Sequence, residues 1–138
     1  MRKDDIVERL REVQLFAECS KTDLRSVLRH SERLEIEAGR DIVVEGNEGK
    51  VFYLVLTGEV EVRRKGRKVA ALGPGAHFGE LALLDPGPRN ATIRATTDVE
   101  VLGITERMFQ VVMRDLPTLR RGMLRGLAGR IRELDKRA

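Results

Sequence analysis

The apolar period changes twice along the chain, and the changes mark three stretches. Between Asp4 and Glu18, Ile6, Leu10 and Val13 recur on one helical face. That spacing predicts an amphipathic helix, with Asp4 and Asp5 favouring its N-terminal end. Ser20-Lys21-Thr22-Asp23 sets a hydroxyl three residues before a carboxylate, a variant of the capping box. It opens a second helix to about His30, with Leu24, Val27 and Leu28 inward. From Arg33 the period falls to two: Leu34 and Ile36 alternate with Arg33, Glu35 and Glu37, a strand with one wet face. Ile42-Val43-Val44 predicts a short strand, and residues 51–56 are apolar throughout, as a central strand requires. Glu59 to Arg63 alternates, Lys65-Gly66 turns the chain, and Lys68 to Leu72 returns. Thr92 to Thr96 and Val99 to Ile104 add two more strands. After Thr105, a plausible N-cap, the period is helical again, through Met108, Phe109, Val111 and Val112. Leu116-Pro117 interrupts that helix, and Pro117 fits the first turn of a new one. Leu119, Met123, Leu127, Ile131 and Leu134 follow at three- and four-residue spacing. Gly122, Gly126 and Gly129 each weaken that last helix by about 1 kcal/mol relative to alanine, though two of them four apart permit close packing.

Many short strands bounded by glycine predict an antiparallel jelly roll or small barrel, mainly β with flanking helices. Alternating βαβ units are not predicted, which argues against a Rossmann-type site. The length of 138 residues predicts one domain: N-terminal helices over 1–31, strands over 32–104, and C-terminal helices over 105–138. With no tryptophan and only Phe16, Phe52, Tyr53, Phe78 and Phe109 as aromatics, aliphatic side chains must fill the core. The lone Cys19 excludes an internal disulfide and is expected to be a small buried residue. No stretch has the apolar length of a membrane span, and the first residues are not a signal peptide, so the cytoplasm is the expected compartment. The net charge of +4 is local. Residues 105–138 hold nine basic and four acidic side chains, whereas the rest of the chain is nearly neutral.

The chemistry concentrates between His77 and Thr92. Gly79 can take backbone angles closed to other residues. Glu80-Leu81-Ala82-Leu83-Leu84 can form one or two helical turns before Pro86-Gly87-Pro88 stops them. The start of such a turn suits an anion, above all a phosphate. Arg89 follows with a planar fork of donors that can close on the same anion. Glu80 would repel a phosphate but can accept a hydroxyl, as from a sugar. The segment therefore predicts a site for a small ligand with one phosphate and one sugar hydroxyl.

Phe78-Gly79-Glu80-Leu81-Ala82-Leu83-Leu84, followed by Pro88-Arg89-Asn90-Ala91-Thr92, resembles the phosphate-binding cassette of cyclic nucleotide-binding domains. The resemblance runs from about Phe16 to Leu134 and includes Gly39, Gly46, Phe52-Tyr53 and Gly58-Glu59-Val60. It implies that Glu80 holds the ribose 2′-hydroxyl and Arg89 the cyclic phosphate. Backbone N–H groups of Leu81, Ala82 and Ala91 would complete the phosphate cradle, with Phe78, Gly79 and Asn90 at the same ligand. The ligand implied is cyclic AMP, favoured on family frequency, or cyclic GMP. Asn90 stands where the family usually has alanine, serine or threonine and leaves both nucleotides open. Ala76 replaces a common acidic residue. The resemblance further implies a last helix that swings over the strands and caps the base, through Leu119 or Met123. The same apolar stripe equally serves a homodimer.

No nucleophile–base pair is visible, and His30 and His77 are too few and too far apart for a cupin-type metal site, so neither an enzyme nor a metal or cofactor is expected. A metal-dependent barrel enzyme ranks behind both other readings. The chain after Ile104 has room for lid helices but not for a helix-turn-helix as well, so no DNA-binding domain is expected in it. The function expected is a ligand-operated regulatory switch acting on an effector that the sequence does not identify. The alternative is an interaction module that binds no nucleotide. Its basic C-terminal helix would instead contact a protein, a membrane surface or nucleic acid. For Arg114, Arg121, Arg125 and Arg132 a solvated face is the simpler reading.

Overall fold

The structure, a computed structural model, describes residues 1–137. They form two compact units, one of strands over Ser31–Arg107 and one of helices that joins Met1–His30 to the chain from Met108 onward.

The strand unit contains β1 (Glu32–Ile36), β2 (Asp41–Val43), β3 (Glu48–Gly49), β4 (Val51–Thr57), β5 (Val60–Arg64), β6 (Arg67–Leu72), β7 (His77–Phe78), β8 (Gly87–Pro88), β9 (Thr92–Ala95) and β10 (Val99–Thr105). They build two four-stranded sheets, ordered β1-β10-β4-β7 and β2-β9-β5-β6, and a two-stranded ribbon, β3-β8. Every pairing is antiparallel. The architecture is thus the double-sheet jelly roll of the two forms predicted. The all-apolar run 51–56 is the centre of a sheet, with β10 on one side and β7 on the other. β1 is an edge strand, and Leu34 on it remains 37% exposed rather than turning inward. Val43, Val55, Val60, Ile93, Ala95, Val99 and Val101 pack as one buried cluster, with Tyr53 and Phe78 against it. Small β-branched residues dominate that cluster, as expected for a core with few aromatics.

The helical unit contains α1 (Lys3–Arg11), α2 (Lys21–Arg29), α3 (Glu106–Asp115), whose first residues lie in the strand unit, and α4 (Pro117–Arg137). The first predicted helix is shorter than its apolar pattern: α1 stops at Arg11, and a separate 3-10 turn over Gln14–Phe16 carries Leu15 and Phe16 inward. Ser20 caps α2 as predicted, its Oγ accepting from the Asp23 N–H at 3.1 Å. Asp23 is not the reciprocal half of a capping box; its buried carboxylate accepts from the Thr118 hydroxyl at 2.6 Å, tying α2 to the start of α4. Phe16 and Phe109 meet edge to face at 6.0 Å.

The glycines of α4 explain its helical cost. A Cβ at Gly126 would stand 2.5 Å from the Gln14 carbonyl oxygen, and one at Gly122 2.9 Å from the Cys19 sulfur. Only a bare backbone lets α4 approach the segment Gln14–Cys19 so closely. Gln14 Nε2 completes the contact by donating to the Gly126 carbonyl at 3.2 Å. Cys19 is buried, and burial pushes its thiol up to about 11, with Asp23 and Glu18 adding to the effect. It is a packing residue, protonated at neutral pH. Leu119 and Met123 are buried as well, whereas Leu124, Ile131 and Leu134 stand 67%, 59% and 52% exposed. The apolar stripe of α4 therefore divides: its first half packs and its second half meets solvent.

Candidate functional site

β7 enters the cassette paired to β4, with Phe78 opposite Tyr53 and His77 opposite Leu54. Gly79 then turns the chain with φ +84, in the left-handed region that favours glycine. The helix predicted over 80–84 is a single 3-10 turn, Leu81–Leu83. Its bonds run from Ala82 N–H to the Gly79 carbonyl at 3.0 Å and from Leu84 N–H to the Leu81 carbonyl at 3.0 Å. Asp85 N–H also reaches the Leu81 carbonyl, at 2.8 Å, so the turn closes just before Pro86. Gly87 and Pro88 pair with Gly49 and Glu48 in the small ribbon.

That ribbon fixes Arg89. Its N–H donates to the Asn47 carbonyl at 2.7 Å, and its own carbonyl accepts from Gly46 N–H at 2.8 Å. The side chain runs between two glycines. A Cβ at Gly49 would come within 2.7 Å of Arg89 Cζ, and a Cβ at Gly79 would fall on its Nη1. At the end of this slot Nη2 donates to the Val51 carbonyl at 2.5 Å. Burial lowers the Arg89 pKa from its ordinary value, while Tyr53 and Glu80 draw it back up. A guanidinium starts so far above neutrality that it remains a cation.

Arg89 opens onto a cavity of about 430 Å³, within the range of small-molecule sites. All eight residues expected at the ligand line this cavity: Phe78, Gly79, Glu80, Leu81, Ala82, Arg89, Asn90 and Ala91. Val43 and Ile93 add an apolar wall from the opposite sheet. The lining holds one guanidinium, the carboxylates of Glu80 and Asp85, and the amide of Asn90. A positive pole and hydroxyl acceptors thus share one apolar-walled hollow. The Ala82 N–H, one of the three donors expected in the cradle, is bonded here to the Gly79 carbonyl. Sequence reasoning missed one contributor, Gly49, and placed His77 beside the motif without a contact to Glu80. Gly49 shapes the arginine slot from 40 residues upstream, and His77 lies 3.4 Å from Glu80 through its Nδ1. The ribbon pairing of Gly49 with Gly87 is long-range and leaves no periodic trace; His77 was detectable only as a neighbour of the motif.

Among the described residues no group of three or more His, Cys, Asp or Glu could hold a metal ion. No described helix is long and apolar enough to cross a membrane.

Residues 33–115 match the family model of the cyclic nucleotide-binding domain. A cAMP-dependent protein kinase regulatory subunit of Yarrowia lipolytica is 37% identical over 112 residues, covering 81% of this chain and 30% of the relative. A cyclic AMP receptor protein of Thermus thermophilus is 33% identical over 126 residues, covering 88% and 58%. The chain therefore spans less than two-thirds of the length of either curated relative. Among solved structures, the N-terminal domain of a transcriptional regulator from Streptomyces coelicolor A3(2) superposes with a TM-score of 0.85 at 31% identity, covering 93% of this chain and 95% of that one.

Proposed function

We propose that this chain, which belongs to the cyclic nucleotide-binding domain family, binds cyclic AMP in the cassette cavity and acts as a switch for an effector. The observation that carries the reading is the Arg89 guanidinium, held in its slot and facing the same cavity as Glu80. In this reading Arg89 takes the cyclic phosphate and Glu80 the ribose 2′-hydroxyl. Phe78, Leu81, Ala82, Asn90 and Ala91 surround the ligand, and the backbone turn at Gly79 brings the two poles together. The names of both curated relatives favour cyclic AMP over cyclic GMP. The cytoplasm is the natural compartment for such a switch.

The mechanism is a population shift. A ligand that prefers one arrangement of the C-terminal helices shifts the protein toward it, by no more than its difference in affinity between states. Leu119 and Met123 are the residues proposed to cap the base. Both are buried in this structure, so capping entails repacking of α4. The exposed part of α4 suits a second copy of the chain. Leu124, Leu127, Ile131 and Leu134 follow a three–four–three spacing, the seam of a two-stranded coiled coil. Ile131→Glu is expected to turn a dimer into a monomer, measured as mass by light scattering across a hundredfold range of concentration. A wild-type chain that is monomeric throughout would remove the dimer from the proposal.

Thermal melting tests the binding itself. Ligand at 100 times its dissociation constant stabilises a native-state binder by about 2.7 kcal/mol. For a domain of this size the midpoint is expected to rise by roughly 10 °C. An unchanged midpoint with millimolar cyclic AMP and with millimolar cyclic GMP would favour the interaction-module reading instead.

A further inference from the structure

The hairpin of β5 and β6 carries charge that the cassette cavity does not use. Five of the six residues in Arg63-Arg64-Lys65-Gly66-Arg67-Lys68 are basic, in a strand unit whose acidic side chains outnumber its basic ones. The fold makes this clustering costly. The register sets Arg64 directly opposite Arg67, and Arg63 opposite Lys68. Like charges facing each other across two strands destabilise the pair. Lys65 has φ 52 and is the one non-glycine residue with positive φ among those described. Asparagine or glycine fits such a turn position at lower cost. Arg63 is relieved, since its guanidinium donates to Glu61 at 3.0 Å and to the Gly66 carbonyl at 2.7 Å. Glu45 accepts from the Lys65 backbone N–H at 3.0 Å. Arg64, Lys65, Arg67 and Lys68 are exposed, and among the described residues their side chains form no ion pair. Charge on an edge strand is an ordinary guard against unwanted strand pairing. That accounts for Lys68 on β6, but not for Lys65 in the turn or for Arg63 and Arg64 on β5, an inner strand.

We propose that this hairpin docks on the surface of an anionic lipid bilayer, with its cations on the head groups and Val69 in the interfacial layer. Val69 and Leu72 stand 52% and 38% exposed on the same edge strand as the charges. Val69 is the extra residue of a bulge: Lys68 faces Arg63 and Ala70 faces Val62, which leaves Val69 between them without a cross-strand partner. Cations beside an exposed apolar side chain match the boundary between head groups and acyl chains, where a basic cluster meets negative charge and the apolar group leaves water. Single-stranded nucleic acid calls for aromatic platforms, and the hairpin holds no aromatic residue. A duplex backbone would engage the cations but leave Val69 in water. The contact involves neither the cassette nor α4, so it stands apart from the nucleotide reading.

The test is co-sedimentation of the whole chain with vesicles of phosphatidylcholine and phosphatidylserine mixed about 2:1. The wild type is expected to bind them at about 0.1 M salt, to release them at about 0.5 M, and to ignore vesicles of phosphatidylcholine alone. Arg64→Gln with Arg67→Gln is expected to lower partition about 25-fold, or about fivefold for each charge removed. Arg121→Gln with Arg125→Gln on α4 changes the net charge equally and is expected to stay within about twofold of the wild type. Val69→Ser is expected to lose about threefold, since its apolar surface no longer favours the interface. The melting midpoint of the Arg64→Gln, Arg67→Gln protein is expected to be no lower than that of the wild type, because a like-charge pair has been removed. A lower midpoint would mean that the cations serve the hairpin's own folding, and would overturn the proposal. Equal losses in the two double variants, or full binding by Val69→Ser, would overturn it too. So would a wild type that ignores the mixed vesicles, whether or not it binds duplex DNA through the same cations.

Discussion

Arg89→Ala is expected to lower the affinity for cyclic AMP by about 100-fold or more while leaving the fold in place. Removing one partner of a desolvated charge pair costs about 2–5 kcal/mol, because the other charge remains buried and uncompensated. In the proposed complex the other charge is the cyclic phosphate, and among the described residues no second arginine or lysine lines the cavity. The cost to the protein alone is smaller. The substitution removes one side-chain bond, to the Val51 carbonyl, whereas the backbone bonds of residue 89 to Asn47 and Gly46 do not depend on the side chain. A net loss of about 1 kcal/mol of stability is expected from a single such bond. Arg89→Lys keeps the charge without the planar fork, and its affinity is expected to lie between the two. Calorimetry with cyclic AMP measures the affinities, and urea denaturation of the unliganded proteins measures stability. Wild-type affinity in Arg89→Ala would mean that the phosphate, if bound at all, sits elsewhere.

Gly79→Ala is expected to have the second largest effect and to damage fold and binding together. The φ of +84 costs an alanine about 1–2 kcal/mol by itself. The new Cβ would also fall on Arg89 Nη1 and stand 2.6 Å from the Val51 carbonyl oxygen. The arginine is long and can retreat, but the carbonyl belongs to the backbone of a central strand. Overpacking of this kind adds about 1–3 kcal/mol. A destabilisation of roughly 2–4 kcal/mol is expected by urea denaturation, together with an affinity loss of at least about tenfold, because the guanidinium leaves its slot. Gly87→Ala is the matched control: a Cβ there has open space within 4 Å and no positive φ to strain. Its stability is expected to stay within about 0.5 kcal/mol of the wild type. If Gly79→Ala behaved like Gly87→Ala, the slot would not be what holds Arg89.

The contrast between these two glycines shows where the sequence was informative. The positive φ at Gly79 could be anticipated, because a glycine between a strand and a helical turn has a local reason to be there. The strands of alternating period and the break at Leu116-Pro117 were legible for the same reason: each depends on neighbours in the chain. What could not be read was set by distant contacts. Arg89 bonds to Val51, 38 residues away, and is walled by Gly49. The apolar stripe of α4 looked continuous from Leu119 to Leu134. Only the approach of Gly122 to Glu18 and Cys19 and of Gly126 to the 3-10 turn separates its packed half from its open half. The cassette turn came out as 3-10 because Pro86 leaves too few residues for an α-helix: the one α-type bond, from Asp85 N–H to the Leu81 carbonyl, has no N–H after it to continue the ladder. Asp23 was assigned to a cap and instead serves Thr118, a partner 95 residues away.

The bare seam between α4 and Gln14–Cys19 ties residues 1–30 to residues 108–137 in one body. In the switch proposed above, a displacement of the carboxyl-terminal helix would carry the amino-terminal helices along, and the ligand's message would leave through both segments of that body. A neighbouring domain could thus be wired upstream or downstream and receive the same instruction.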